Sequence, residues 1–257
     1  MRCKLRLQVQ SETFGNILPI NYQYELSAAI YRVLSNANEA YSSWLHENGF
    51  ALNGKKFKLF TFSWLLIPDY ELQKEQKRMV IKSDHVFLYI SFLPDKSTKT
   101  FIKGLFKNRI LQVGDKESVV QFLVTDIDIL PQADLAGVMT FETLSPVCVS
   151  INQENGKPKY LSPDAPEYAK CILNGLLARY EAFYGKTYDG EAYCNLEILG
   201  KPKSSLVKIK AGTPQQTFVR GYRFRFKLWL PCELMEIAYE SGVGEKGSLG
   251  FGMVKIV

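Results

Sequence analysis

The chain has 257 residues, 46% hydrophobic and 23% charged, which is the balance of a soluble globular protein long enough for one large domain or two small ones. Its longest apolar stretch, Leu59 to Pro68, is interrupted by Thr61 and Ser63 and is too short to span a bilayer. The first residues, Met1 to Leu7, alternate charged with apolar side chains and lack the apolar core of a signal peptide, so neither secretion nor membrane insertion is expected. The net charge of +6 is concentrated: residues 201–257 hold ten basic and four acidic residues, the whole of the surplus.

In chain order, Cys3, Leu5, Leu7 and Val9 alternate with Lys4, Arg6, Gln8 and Gln10, the pattern of a half-buried strand. Leu26, Ile30, Val33, Leu34 and Ala37 recur at helical spacing from about Glu25. A second short helix is expected over Asn38 to His46, stopping at Asn48-Gly49, residues suited to a left-handed helix end. Strands follow at Lys58 to Leu66 and Val86 to Leu93, a helix at Thr98 to Lys107, and a strand at Ser118 to Ile129. The order strand, helix, strand, strand, helix, strand is the ferredoxin-like arrangement.

The second half repeats it. A strand at Val138 to Ile151 breaks near Ser145-Pro146. A helix is expected at Pro166 to Tyr184, then strands at Glu191 to Leu199 and Gln216 to Leu230, a helix at Cys232 to Glu240 opened by Pro231, and a closing strand at Gly250 to Val257. The fold class read from this order is α+β, with two tandem ferredoxin-like domains of antiparallel sheet, residues 1–132 and 133–257. Five cysteines, at 3, 148, 171, 194 and 232, form no Cys-x-x-Cys pair. They read as reduced, mostly buried thiols of a cytoplasmic protein. With only two histidines, His46 and His85, a histidine-rich metal centre is not expected.

The sign-pure run is the clearest candidate binding surface. Between Lys201 and Lys227 lie eight basic residues and no acidic one, a pattern that suits a polyanion, with a solvated face as the plain alternative. On its strand Tyr222, Phe224, Phe226 and Leu228 take the core side, while Arg223, Arg225 and Lys227 take the other. Gly242-Val243-Gly244-Glu245-Lys246-Gly247 has the letters of a dinucleotide fingerprint. It follows a helix, however, and leads into the last strand, so no helix remains to receive a pyrophosphate. It reads instead as a glycine-rich loop, Gly242 to Gly252, able to approach an anion or RNA closely.

His46 closes a helix, where the macrodipole favours a cation, a position that suits a proton donor but equally a simple cap. His85 reads as a surface or turn residue. Tyr31 lies beside an apolar helical stripe, and Lys58 opens a predicted strand. Spacing alone does not bring Tyr31, His46 and Lys58 together.

The run Gly242 to Val254 resembles the glycine-rich signature of the RAMP superfamily. Together with Met1-Arg2-Cys3-Lys4-Leu5, the helix from Leu26 to Tyr31, Leu45-His46-Glu47, Lys58-Leu59-Phe60-Thr61-Phe62-Ser63 and Thr143-Leu144-Ser145-Pro146-Val147, it resembles the CRISPR repeat-RNA processing endoribonucleases, the Cas-six family, along essentially the whole chain. The resemblance implies a cytoplasmic RNA-binding nuclease of antiviral defence. Such an enzyme works without metal or other cofactor, its 2′-OH attacking the adjacent phosphate and expelling the 5′-oxygen. It also implies that Tyr31, His46 and Lys58 share the catalysis. The partner is CRISPR repeat RNA, precursor and processed, with other CRISPR effector subunits beyond it; monomer and homodimer stay open. Lys203, Lys208, Lys210, Arg220, Arg223, Arg225, Lys246, Ser248, Gly244 and Gly247 are the candidate RNA contacts, although by alternation Arg220 shares parity with the apolar face of its strand. The alternative is a non-cleaving RNA-binding RAMP subunit of an effector complex. An RRM-like single-strand binder ranks behind both, because the aromatic pattern of that module is not evident.

Overall fold

The computed structural model describes residues 1–154 and 156–257. The first half runs β1 (Arg2–Val9), α1 (Ser11–Phe14), β2 (Ile17–Pro19), α2 (Gln23–Ala37), α3 (Glu39–Glu47), β3 (Phe50–Leu52), β4 (Lys55–Phe57), β5 (Phe60–Phe62), β6 (Tyr70–Gln73), β7 (Arg78–Ile81), β8 (His85–Phe92), α4 (Asp95–Lys107), β9 (Ile110–Gly114) and β10 (Val119–Ile129). The alternation of β1 has the expected effect: Cys3, Leu5 and Leu7 are buried while Arg6 faces solvent. β1 is central, antiparallel to β8 on one side and β10 on the other, in a sheet ordered β5-β8-β1-β10-β9. Leu26, Ile30, Val33 and Leu34 of α2 are buried in the core cluster that contains the sheet's apolar residues.

The second half runs β11 (Val138–Thr143), β12 (Ser150–Asn152), β13 (Pro158–Tyr160), α5 (Tyr168–Tyr184), β14 (Asn195–Ile209), β15 (Thr217–Trp229), α6 (Cys232–Ser241), a 3₁₀ turn (Gly247–Leu249) and β16 (Val254–Ile256). Its sheet is ordered β14-β15-β11-β16. In both sheets the second motif strand lies at an edge, beside the third, the first and then the fourth. This is the ferredoxin-like order, antiparallel throughout, and the protein is α+β as its element order indicates.

The halves are bolted together by buried polar contacts. Thr61 Oγ1 donates to Phe251 O at 2.8 Å, and Trp64 N donates to Leu144 O at 3.1 Å. Arg2, 4% exposed, donates from Nη1 to Val254 O at 2.5 Å and from Nη2 to Tyr239 O, with its guanidinium over the Tyr239 ring. Burial pulls the Arg2 pKa down to about 10, so the group keeps its charge at neutral pH.

Several boundaries differ from those expected. The strand expected over Lys58 to Leu66 shrinks to Phe60–Phe62, because Leu59 takes a left-handed φ of 53° and breaks the extended run. The strand expected over Glu191 to Leu199 starts at Asn195 and continues to Ile209. Gly200-Lys201-Pro202 interrupts the apolar alternation, which hides the extension in the sequence. The closing strand is only Val254–Ile256. β9, at the edge of the first sheet, has no counterpart among the predicted strands. Of the cysteines only Cys3 and Cys148 are buried; Cys171 and Cys194 are half-buried and Cys232 is exposed. Among the described residues no helix is long and apolar enough to cross a membrane.

Candidate active site and nucleic-acid interface

The cleft that gathers the candidate chemistry is built by a helix end and the hairpin that returns to it. Asn38 caps α3, its Oδ1 accepting from Tyr41 N at 2.9 Å. The helix ends where Asn48 N and Gly49 N both donate to Trp44 O at 2.8 Å. Gly49 has φ +59°, and a Cβ there would sit 2.4 Å from Phe57 O, so glycine is needed both for the turn and for the passing strand. The β3–β4 hairpin turns on Asn53 (φ 48°) and Gly54 (φ 76°), both left-handed as a two-residue hairpin turn requires. It carries two lysines back to the helix end. Lys56 Nζ donates to Glu47 O at 2.8 Å and Lys58 Nζ donates to His46 O at 2.6 Å. Both ammonium groups thus satisfy orphan carbonyls at the negative end of the α3 dipole. Leu59, buried and left-handed, completes the reversal after Lys58; such a backbone costs roughly 1–2 kcal/mol in a residue other than glycine.

Tyr31, on α2, meets His46 edge to face, ring centroids 5.0 Å apart. Its other neighbour is the Phe60 ring at 5.7 Å. Ser248 arrives from the second half: Ser27 Oγ donates to Ser248 O at 2.6 Å, and Ser248 lines the same cleft as Tyr31. The result is a cleft of about 520 Å³ lined by Tyr31, Arg32, His46, Glu47, Lys58 and Ser248 among others. Burial pushes the Tyr31 phenol up, so it remains an O–H at neutral pH. Lys58 is pushed down, first by burial and then by the neighbouring charge of Lys56. The structure therefore brings together Tyr31, His46 and Lys58, which lie 27 positions apart in sequence from first to last.

The glycine-rich loop is not the loose connection its composition suggests. Val243 N donates to Gly252 O, Glu245 N to Cys148 O, Gly250 N to Gly247 O and Gly252 N to Pro146 O, all at 2.7–2.9 Å. These contacts fasten the loop to the protein, and Lys246 and Ser248 line the space beside it. The Glu245 carboxylate accepts from Ser150 N and Oγ at 3.0 and 2.9 Å. Arg179 Nη1 donates to Gly242 O at 2.6 Å and to Ser241 Oγ at 2.9 Å. Close packing accounts for glycine at 244 and 247: a Cβ would lie 2.4 Å from Cys148 O at the first and 2.6 Å from Phe60 O at the second.

The basic strand separates its faces largely as expected. Phe224, Phe226 and Leu228 are buried while Arg223 and Arg225 are exposed; Tyr222 and Lys227 are half-buried. Arg220, the doubtful member, is exposed, with Nη1 donating to Ser204 Oγ at 2.8 Å. β15 itself is regular, so Arg220 keeps the parity of Phe224 and Phe226; beyond the irregularity in β14, which pairs Leu199 with Arg225 but Lys203 with Arg223, the opposite face is buried through Val219 and Gly221, and the Arg220 side is left to solvent. Lys203 is exposed at this bulge. Lys208 Nζ lies 5.7 Å from the Phe218 ring centroid, and Lys210 Nζ donates to Gln215 Oε1 at 2.6 Å. None of these hairpin cations lines the Tyr31–His46–Lys58 cleft. Arg223 instead stacks over Trp64 at 4.7 Å, at the mouth of a second cleft of about 760 Å³ between the halves. Sequence reading passed over Trp64, Lys56 and Arg179. The Asn53-Gly54 hairpin signal could have found Lys56, whereas nothing local distinguishes Arg179 from a surface arginine on α5.

Two family patterns cover most of the chain: CRISPR-associated protein Cas6, N-terminal, over residues 17–127, and CRISPR associated protein Cas6, C-terminal, over residues 130–256. The chain is 33% identical over 255 residues to the CRISPR-associated endoribonuclease Cas6 1 of Methanocaldococcus jannaschii, covering 98% of this chain and 91% of that protein. A solved structure of a Cas6-related gene product from Pyrococcus furiosus superposes with a TM-score of 0.84 at 29% identity, covering 100% of this chain and 98% of that one. A RAMP protein described as binding different RNA substrates superposes with a TM-score of 0.81 at 26% identity, covering 100% of this chain and 99% of that one. With tandem ferredoxin-like sheets, a matching pattern on each half and a relative aligned end to end, the chain belongs to the Cas6 family of CRISPR-associated proteins.

Proposed function

We propose that this protein binds CRISPR repeat RNA and cleaves the precursor transcript within each repeat, without a metal ion. The observation that supports it best is the meeting of Tyr31, His46 and Lys58 in one cleft of a chain from this family. In this reading the ribose 2′-oxygen bonds to the adjacent phosphorus and the bond from phosphorus to the 5′-oxygen breaks. His46, exposed at the mouth of the cleft, protonates the leaving 5′-oxygen. Lys58, anchored on the His46 carbonyl, stabilises charge on the phosphorane oxygens. Tyr31, held as an O–H, orients the ribose by hydrogen bonding. The 2′-OH proton passes to solvent.

The test is incubation of the protein with cognate repeat RNA in EDTA, with the product ends identified. Cutting that leaves a 2′,3′-cyclic phosphate and a 5′-hydroxyl is the expected result. Tight binding with no cutting would favour the other reading, a non-cleaving RNA-binding subunit of an effector complex.

RNA affinity in this proposal comes from Lys203, Lys208, Lys210, Arg220, Arg223 and Arg225, with Lys246, Ser248, Gly244 and Gly247 nearer the chemistry. Arg223 and Arg225 are exposed on one strand face, spaced to follow a phosphate backbone. Replacing both with alanine should weaken binding and lower the slope of log K against log salt by roughly 1.4–1.8, two phosphate contacts' worth. An unchanged slope would remove β15 from the interface. We further divide the chain at residues 132/133, between the end of β10 at Ile129 and the start of β11 at Val138, and place the protein in the cytoplasm with its RNA.

A further inference from the structure

Tyr31, His46 and Lys58 all come from the first half of the chain, yet the elements that carry His46 and Lys58 lean on the second half. α3 has nine residues, too short a helix to hold its last turn without tertiary support. Part of that support arrives along a run of aromatic rings. Trp44, on the same helix as His46, meets Phe50 with ring centroids 5.4 Å apart, and Phe50 meets Phe183 of α5 at 5.6 Å. Phe50 packs against the apolar cores of both halves.

The β3–β4 hairpin makes a second crossing beside Lys58. Phe57 packs against the core of the second half and Leu59, 3% exposed, is part of it, while Phe60, the next residue, is buried in the core of the first. The left-handed backbone at Leu59 stands at that crossing. Lys58 is therefore tied by its chain neighbours to one half and by its ammonium, on His46 O, to the other. The hairpin strands have three residues each, and so small a pair depends on what it packs against. Among the described residues none of α5 lines the cleft, so Phe183 touches no reacting group.

We propose that Phe183 is a positioning residue for the cleavage reaction. By seating Phe50 it holds the β3–β4 hairpin in place, and the hairpin, through Lys58 on the His46 carbonyl and Phe50 on Trp44, holds the end of α3 so that His46 meets Tyr31. The inference rests on the RNA-cleavage reading above and adds that the second half sets the geometry of a site whose acid–base groups lie in the first.

The experiment compares Phe183→Ala with Phe183→Tyr, which keeps the ring, in single-turnover cleavage of repeat RNA below their unfolding temperatures. Phe183→Ala should cut about 10–100-fold more slowly, the cost of a misplacement on the order of 1 Å, with Kd close to that of the wild type. Phe183→Tyr should restore the rate. Phe50→Leu, from the hairpin side of the same contact, should lose rate as Phe183→Ala does, and it decides the matter if the alanine variant unfolds. On a His46→Ala background Phe183→Ala should cost much less, because the group it positions is gone; a merely structural role would cost the same on both. A second readout needs no activity. The chain has two histidines, so their imidazole proton signals are resolved one by one by NMR. The His46 signal, set by the ring of Tyr31 at 5.0 Å, should shift in Phe183→Ala and return in Phe183→Tyr, with His85 unmoved. An unchanged rate, an equal loss on both backgrounds, or an unmoved His46 signal would overturn the positioning role. A wild type that cuts no repeat RNA would end the cleavage reading, and the His46 signal would still decide whether Phe183 holds the end of α3.

Discussion

Replacing His46 with alanine is expected to lower the cleavage rate by about 10²–10⁴-fold, the ordinary contribution of a positioned general acid, while RNA affinity stays close to that of the wild type. The geometry makes this substitution unusually clean. His46 is exposed, so little packing is lost beyond its edge contact with Tyr31. Lys58 is held by the backbone carbonyl of residue 46, which alanine retains, so the lysine stays in place when the imidazole is removed. The reciprocal change, Lys58→Ala, removes both the charge and a hydrogen bond that closes the C-terminus of α3, and would mix chemistry with local stability. The measurement is single-turnover cleavage of repeat RNA in EDTA, with binding scored separately. Equal cutting by the variant would keep the nuclease and move the proton donor elsewhere in the cleft, to Tyr31 or Lys58.

What the sequence disclosed of this site, and what it hid, follows from where each signal is encoded. The tandem motif was legible because β1, α2, β8 and β10 each bury one face and so carry an honest periodicity of two or 3.6 residues. The small sheet of β2, β6 and β7 and the edge strand β9 were not read, since short, partly exposed strands have little apolar pattern to show. The helix end at Asn48-Gly49 was legible from residue type alone. The placement of Lys58 was not: it depends on Leu59 adopting a left-handed backbone, which nothing in a leucine announces. Arg220 shows the same limit from the other side. Strict alternation assigns it to the face of Phe224 and Phe226, and it does share that face, but at this end of β15 the buried cluster lies on the opposite face with Val219. The loop from Gly242 to Gly252 stands out by composition, but composition could not reveal that its glycines allow backbone to pack against backbone, with Arg179 and Glu245 fixing it from two sides.

That same close packing identifies the position where the smallest change should do the most harm to the fold. Gly104 sits in the middle of α4, where it packs on α2, and a Cβ there would lie 1.9 Å from Val33 O and 2.8 Å from Val33 C. Both atoms are backbone, so no side chain can rotate away and one helix must move. In an exposed helix, glycine to alanine would stabilise by up to about 1 kcal/mol; here overpacking reverses the sign. A loss of about 3 kcal/mol is expected, which in a protein of this size lowers Tm by roughly 6–12 °C. The consequence extends to the chemistry, because α2 also carries Tyr31, two residues before Val33, and Ser27, which holds the carbonyl of Ser248. Gly104→Ala should therefore reduce cleavage even at temperatures where the chain remains folded, although it touches no residue of the cleft. Thermal unfolding and cleavage measured together test both statements. An unchanged Tm would mean that the α2–α4 contact yields without cost. An unchanged rate in a destabilised protein would show that α4 moves alone and that α2 keeps Tyr31 in place.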